Sequence, residues 1–173
     1  MQDSSYRIEI LEKKGREAFQ KVIEEYKFFG NGQSYYDRCF ERQSLQEMEI
    51  IIALCKDKVI GYVLLNWQPK YAYFKKLGIA EIQDLNVIPE FRRNGVGQSL
   101  VEFCEKLALE KGYSEIGIGV GLDSSFGAAQ RIYARLGYIP DGQGVSYDRK
   151  QITTGEFRPI DDNLCLMMTK KLK

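Results

Sequence analysis

Residues 79–100 read Ile-Ala-Glu-Ile-Gln-Asp-Leu-Asn-Val-Ile-Pro-Glu-Phe-Arg-Arg-Asn-Gly-Val-Gly-Gln-Ser-Leu. The β-rich run Ile79 to Val87 predicts a strand that stops before Pro89, because proline cannot donate to a ladder. From Val96 to Lys111 the apolar residues Val96, Leu100, Phe103, Cys104 and Leu107 recur at helical spacing. Between the two lies Arg92-Arg93-Asn94-Gly95-Val96-Gly97. A glycine-bearing turn that opens a helix presents several free N–H groups, with the positive end of the helix dipole behind them. That combination cradles an anion, and a pyrophosphate is its natural guest. The turn is not a P-loop, since G-x-x-x-x-G-K-[ST] is absent, and only G-x-G of the dinucleotide fingerprint is present. A plain strand-to-helix turn is the competing reading.

Two neighbouring strands have unusual faces. Ala80 and Ile82 share one parity, Leu85 and Val87 the other, so the apolar phase slips near Gln83 and Asp84. One extra residue there, a β-bulge, restores a single apolar face; a strand buried on both faces also fits. In Glu115 to Gly121, Ile116, Ile118 and Val120 fill one face while Gly117, Gly119 and Gly121 leave the other bare. A bare face admits either a narrow ligand or a tightly packed helix.

Working outward, Tyr6 to Leu11 predicts a first strand. Gly15 to Phe29 predicts a helix, ended by Gly30-Asn31-Gly32, and Tyr35 to Ser44 a weaker one. Glu47 to Cys55 and Val59 to Trp67 predict a hairpin across Lys56-Asp57-Lys58. Phe126 to Leu136 predicts a helix capped by Ser124 or Ser125. Tyr138 to Asn163 reads as irregular, and Leu164 to Thr169 as a closing strand. The fold class is α/β, a mixed sheet with helices on both faces.

Composition narrows the function. The 173 residues hold 44% hydrophobic and 28% charged residues, ordinary for a soluble globular chain. With no linker or repeat, residues 1–173 read as one domain. A net charge of +1 carries no bulk footprint for nucleic acid or an anionic membrane. There is no histidine, so Ser-His and Cys-His catalysis and His-ligated metal sites are excluded, and no metal is expected. Any general base is a carboxylate, tyrosine, lysine, thiolate or relayed water. Cys39, Cys55, Cys104 and Cys165 form no C-x-x-C pair. Dispersed cysteines behind a polar start, Met1 to Tyr6, with no long apolar run, predict a cytoplasmic protein.

The stretch Leu85-x-Val87-x-Pro89-x-x-Arg92-x-x-Gly95-x-Gly97 resembles the acetyl-CoA motif of the GNAT (Gcn5-related) N-acetyltransferase superfamily, and Tyr133-Ala-Arg-Leu-Gly137-Tyr138 resembles its next motif. The resemblance implies a mostly antiparallel central sheet with splayed central strands. It implies that the amides of Arg93, Asn94, Gly95, Val96, Gly97 and Gln98 hold the pyrophosphate of acetyl-CoA, with Arg92 opening the loop. The main chain of Leu85, Asn86 and Val87 would pair with pantetheine like an added strand. Tyr133 would protonate the departing thiolate, and backbone donors near the bulge would stabilise the oxyanion. Where the family often has Asn, seven residues before Tyr133, this chain has Phe126.

The implied reaction is direct attack of an amine on the acetyl carbonyl, with a small-molecule or peptide amine as acceptor. Glu81 is the first candidate base and Asp84 the second; either also fits a salt-bridged strand residue. Phe28 to Asp37 lies between the first two helices, which wall the acceptor in this family. Tyr35 and Tyr36 there would pack on a cation or turn inward. A homodimer is the oligomer that the resemblance allows. An acyl-CoA-binding sensor without useful catalysis is the alternative.

Overall fold

The computed structural model describes residues 5–26 and 33–173, with the side chain of Gln33 outside that set; the expected helix stop at Gly30-Asn31-Gly32, and Phe28 and Phe29 before it, lie outside these residues. In chain order the elements are β1 (Arg7–Ile10), α1 (Arg16–Tyr26), α2 (Gln33–Ser44), β2 (Met48–Cys55), β3 (Lys58–Asn66), α3 (Ala72–Leu77), β4 (Ala80–Val87), α4 (Val96–Glu110), β5 (Glu115–Gly121), α5 (Gly127–Arg135), β6 (Ile139–Tyr147), β7 (Lys150–Gln151) and β8 (Leu164–Lys171). The strands are hydrogen-bonded in the order β1-β2-β3-β4-β5-β8-β6-β7. The pair β4–β5 is parallel, and β1–β2, β2–β3, β5–β8, β6–β8 and β6–β7 are antiparallel. This is the mixed α/β class that the sequence predicts. By internal contacts the chain divides into two compact units: Met1–Trp67 with Gln83–Cys104, and Gln68–Ile82 with Glu105–Lys173.

The first unit is built on the β2–β3 hairpin, whose turn falls where Lys56 and Asp57 predict it. The apolar stripe of α1 delivers Phe19, Val22 and Ile23 to the core. Phe19 meets Tyr36, Phe40 and Tyr62 edge-on, with centroids 5.9, 6.1 and 5.2 Å apart. Such pairs add about 0.5–1.5 kcal/mol each beyond the area they bury. Gly61 in β3 lets β4 come close: a Cβ there would stand 2.8 Å from Asn86 O and 3.3 Å from Val87 Cγ2.

The second unit is organised by β5. Its ladder with β4 covers only Ala80, Ile82 and Glu81 between them, opposite Ile116, Ile118 and Gly117. Two residues after Ile82, Asp84 takes a left-handed conformation (φ 52°), the backbone break behind the apolar phase slip. On β5 the bare glycine face is filled by the protein's own side chains. A Cβ on Gly117 would overlap the Phe74 ring, and one on Gly121 the Phe126 ring. At Gly119 it would meet Met167 Sδ at 3.0 Å and Arg149 Cζ at 3.4 Å. Close packing, rather than a ligand, therefore accounts for these three glycines. Phe74 rides on α3, a six-residue helix too short to show a period in the sequence.

Two further expectations need correction. Residues 139–147 and 150–151 form a hairpin, so the irregular stretch is confined to residues 152–163. The strand β6 hides in the sequence because its register shifts between Pro140 and Val145, around Gly142 and Gly144, and because most of it is exposed. The turn before α5 is capped by Asp123, whose Oδ1 accepts from Ser125 N at 2.7 Å, not by either serine side chain. The oxygen of Asp123 intercepts an amide that the helix start leaves unpaired.

Candidate active site

In the first unit, β4 leads through a 3-10 turn at Pro89–Phe91 to the loop Arg92 to Gly95. Arg92 Nε donates to Val87 O at 2.9 Å, fastening the loop back onto the strand that feeds it. Arg93 (φ 63°) and Gly95 (φ 81°) are both left-handed, a conformation that glycine adopts freely and arginine at a cost. Val96 is buried beneath the loop, while Arg92, Arg93, Asn94, Gly95 and Gln98 are exposed. Ser99 N donates to Gly95 O at 3.0 Å; the amides of Gly97 and Gln98 precede it in the first turn and have no carbonyl four residues back inside the helix. Free amides and the helix dipole make an anion cradle, so these residues fit a pyrophosphate.

Upstream, Ile88 N donates to Ile60 O at 3.0 Å. Asn86 Nδ2 donates to Tyr62 Oη at 3.1 Å and to Asp84 O at 3.0 Å. Leu85, Asn86 and Val87 thus form a fixed strand end beside Gly61, half-buried along their length.

Asp84 sits among phenols. Tyr35 donates its hydroxyl to Asp84 Oδ2. The hydroxyls of Tyr36 and Tyr62 are 3.1 Å apart, and the rings of Tyr35 and Tyr36 meet edge-on at 5.2 Å. Tyr36 is buried and Tyr35 half-buried, so the adjacent tyrosines divide between core and site. Burial first, then the Asp84 carboxylate, push Tyr35 far above an ordinary phenol. Burial raises Tyr36 and Tyr62 as well. The Cys39 thiol is pushed up to about 11 by burial and by Asp84. These groups stay protonated at neutral pH, which leaves Asp84 as the acidic member of the cluster. Tyr62 and Cys39 were not singled out from the sequence; nothing local ties them to the cluster, since Asn86 and Asp84 are distant from them along the chain.

In the second unit, Glu81 is 0% exposed. Arg149 Nε donates to its Oε1 at 2.7 Å, and its Oε2 is buried with no hydrogen-bond partner. Burial opposes the charge of Arg149, yet Glu81 and Cys165 together outweigh it and raise the guanidinium further. Arg149 Nη1 also donates to Cys165 Sγ at 3.6 Å. The arginine reaches this place from the two-residue turn Asp148-Arg149, with both residues left-handed (φ 47° and 63°). Its neighbour Asp148 accepts from Lys70 Nζ at 3.0 Å on both oxygens.

Tyr133 is 4% exposed on α5. The helix closes through Gly137 (φ 89°), and Tyr138 N donates to Tyr133 O at 3.0 Å; the two rings are 6.0 Å apart. Phe126, at the position where the family often has Asn, has its ring against Gly121. The sequence-predicted residues thus fall into two groups: Asp84 to Val87 with Arg92 to Gln98 in the first unit, Glu81 and Tyr133 in the second.

Among the described residues no helix is long and apolar enough to cross a membrane. An uncharacterized N-acetyltransferase of Archaeoglobus fulgidus is 31% identical over 87 residues, covering 49% of this chain and 56% of that protein. The chain spans about half the length of the curated relatives it matches. Among solved structures, an N-acetyltransferase of Staphylococcus aureus Mu50 superposes with TM-score 0.71 at 16% identity, covering 98% of this chain and 100% of that one. A GNAT family acetyltransferase of Elizabethkingia anophelis, solved with acetyl-CoA bound, gives TM-score 0.65 at 17% identity, covering 98% and 100%. The sequence model of the acetyltransferase (GNAT) family matches residues 16–138. That match takes in more than half of the sequence, and the chain belongs to the acetyltransferase (GNAT) family.

Proposed function

We propose that the chain moves the acetyl group of acetyl-CoA to a primary amine of a small molecule or peptide by direct attack. The observation that carries this is the loop Arg92 to Gly95, left-handed at Arg93 and Gly95, fastened to Val87 O and opening α4. The amides of Arg93 to Gln98 hold the pyrophosphate, and the backbone of Leu85 to Val87 lines the pantetheine. Acetyl-CoA supplies an activated thioester.

A new N–C bond forms at the acetyl carbonyl as the C–S bond breaks. The amine's proton goes to Asp84, directly or through a water, and coenzyme A leaves as the thiolate. Asp84 is preferred to Glu81 because Arg149 holds Glu81 Oε1 at 2.7 Å and the Glu81 carboxylate has no exposed surface on which to meet an amine. Glu81 then braces β4 against the β6–β7 turn.

Calorimetric titration of acetyl-CoA, with ATP as the control nucleotide, tests the cofactor. Saturable one-site binding of acetyl-CoA and none of ATP is expected, followed by transfer to a member of an amine panel. Absence of acetyl-CoA binding would remove the reading.

A further inference from the structure

The cofactor loop has a neighbour that the family pattern does not reach. Tyr6 precedes β1 and lies outside residues 16–138, the segment matched by the family. Its hydroxyl is 3.0 Å from Ser99 Oγ, one turn into α4 and 93 residues away in sequence. It also lies 3.6 Å from where a Cβ on Gly95 would stand. The route is set by the sheet: the start of β1 pairs with the end of β2 (Arg7 opposite Leu54), and the end of β2 pairs with the start of β3 (Leu54 opposite Val59). Ile60 in turn accepts from Ile88, immediately ahead of the loop. Tyr6 is therefore carried to the mouth of the cradle by ladder register.

We propose that Tyr6 is a cofactor-binding residue, its hydroxyl donating to a pyrophosphate oxygen of coenzyme A. The inference rests on the acetyl-CoA reading above. Two facts favour a ligand role over simple bracing. The Tyr6–Ser99 contact joins two hydroxyls, each able to donate and to accept. When Ser99 donates to Tyr6, the phenolic proton is left for an acceptor. The surrounding groups, the amides of the loop and of the first helical turn, already favour an anion there. A neutral phenol adds a donor without adding charge, and its ring anchors the donor in one place.

Calorimetry with coenzyme A on the wild type and on Tyr6→Phe and Ser99→Ala separates the roles. A hydrogen bond to a charged acceptor contributes about 1.5–3 kcal/mol, so Tyr6→Phe is expected to weaken coenzyme A binding roughly tenfold to a hundredfold. Ser99→Ala, which keeps the phenol, is expected to stay within about threefold of wild type, within the uncertainty of a neutral hydrogen bond. Unchanged affinity in Tyr6→Phe overturns the proposal. So does an equal loss in both variants, which would make Tyr6 a brace acting through Ser99. Wild-type protein that fails to bind coenzyme A would overturn the acetyl-CoA reading itself, and this proposal with it.

Discussion

Arg149 Nε lies 2.7 Å from Glu81 Oε1, and the carboxylate it neutralises has no exposed surface. Removing one partner of such a pair leaves an uncompensated charge in the core. Arg149→Ala should lower unfolding free energy by about 3–5 kcal/mol, read from urea denaturation. Arg149→Met with Glu81→Gln should recover most of that loss, since neither charge then remains. A double variant no more stable than Arg149→Ala would show that packing, not charge, ties the turn to β4.

Asp84 and Glu81 part ways in kinetics. Asp84→Asn should lower kcat by about 10²–10⁴, the usual contribution of a positioned base, and should abolish the acidic limb of the pH–rate profile. Glu81→Gln should keep that limb while reducing stability. If Glu81→Gln removes the limb and Asp84→Asn leaves it, the base assignment is reversed.

Cys39 makes the fold sensitive to alkali. Its folded thiol is raised to about 11, above the roughly 8.5 of a free thiol. The unfolded chain therefore gives up this proton first, and stability falls as pH rises from about 8.5 toward 11. The contribution is intact below that window. Cys39→Val should flatten the decline of the urea midpoint between pH 8 and pH 10; an unchanged slope would assign the decline to other groups.

Gly117 lies under the Phe74 ring. Gly117→Ala should cost about 1–3 kcal/mol through overpacking, and Phe74→Leu in the same chain should relieve part of it. Thermal denaturation of the single and double variants reads both numbers. A Gly117→Ala protein as stable as wild type would mean that Phe74 moves aside freely.

What the sequence disclosed was local. Strand, turn and helix from Ala80 to Glu110 follow one another along the chain, so proline, glycines and apolar period mark them directly. The loop that opens α4 belongs to that stretch, which is why its turn and helix start could be placed from Arg92 to Gln98. Contacts made across long separations left no trace. Arg149 and Glu81 are 68 residues apart and Tyr62 and Asn86 24 apart, and no spacing rule joins them. The glycines of β5 were visible, but their occupants were not, because Phe74 comes from a helix of six residues. The phase slip at Asp84 was legible as a misfit of parity. Its partner Tyr35 required the fold.

The turn Asp148-Arg149 also limits how the protein can be improved. Asn-Gly is the preferred pair at a two-residue hairpin turn with both residues left-handed, so an engineer seeking rigidity would reach first for that replacement. Here it would relax the backbone and at the same stroke delete the counter-ion of Glu81. The strained loop tip is the far end of a core contact, and a local optimum at the surface is a global loss.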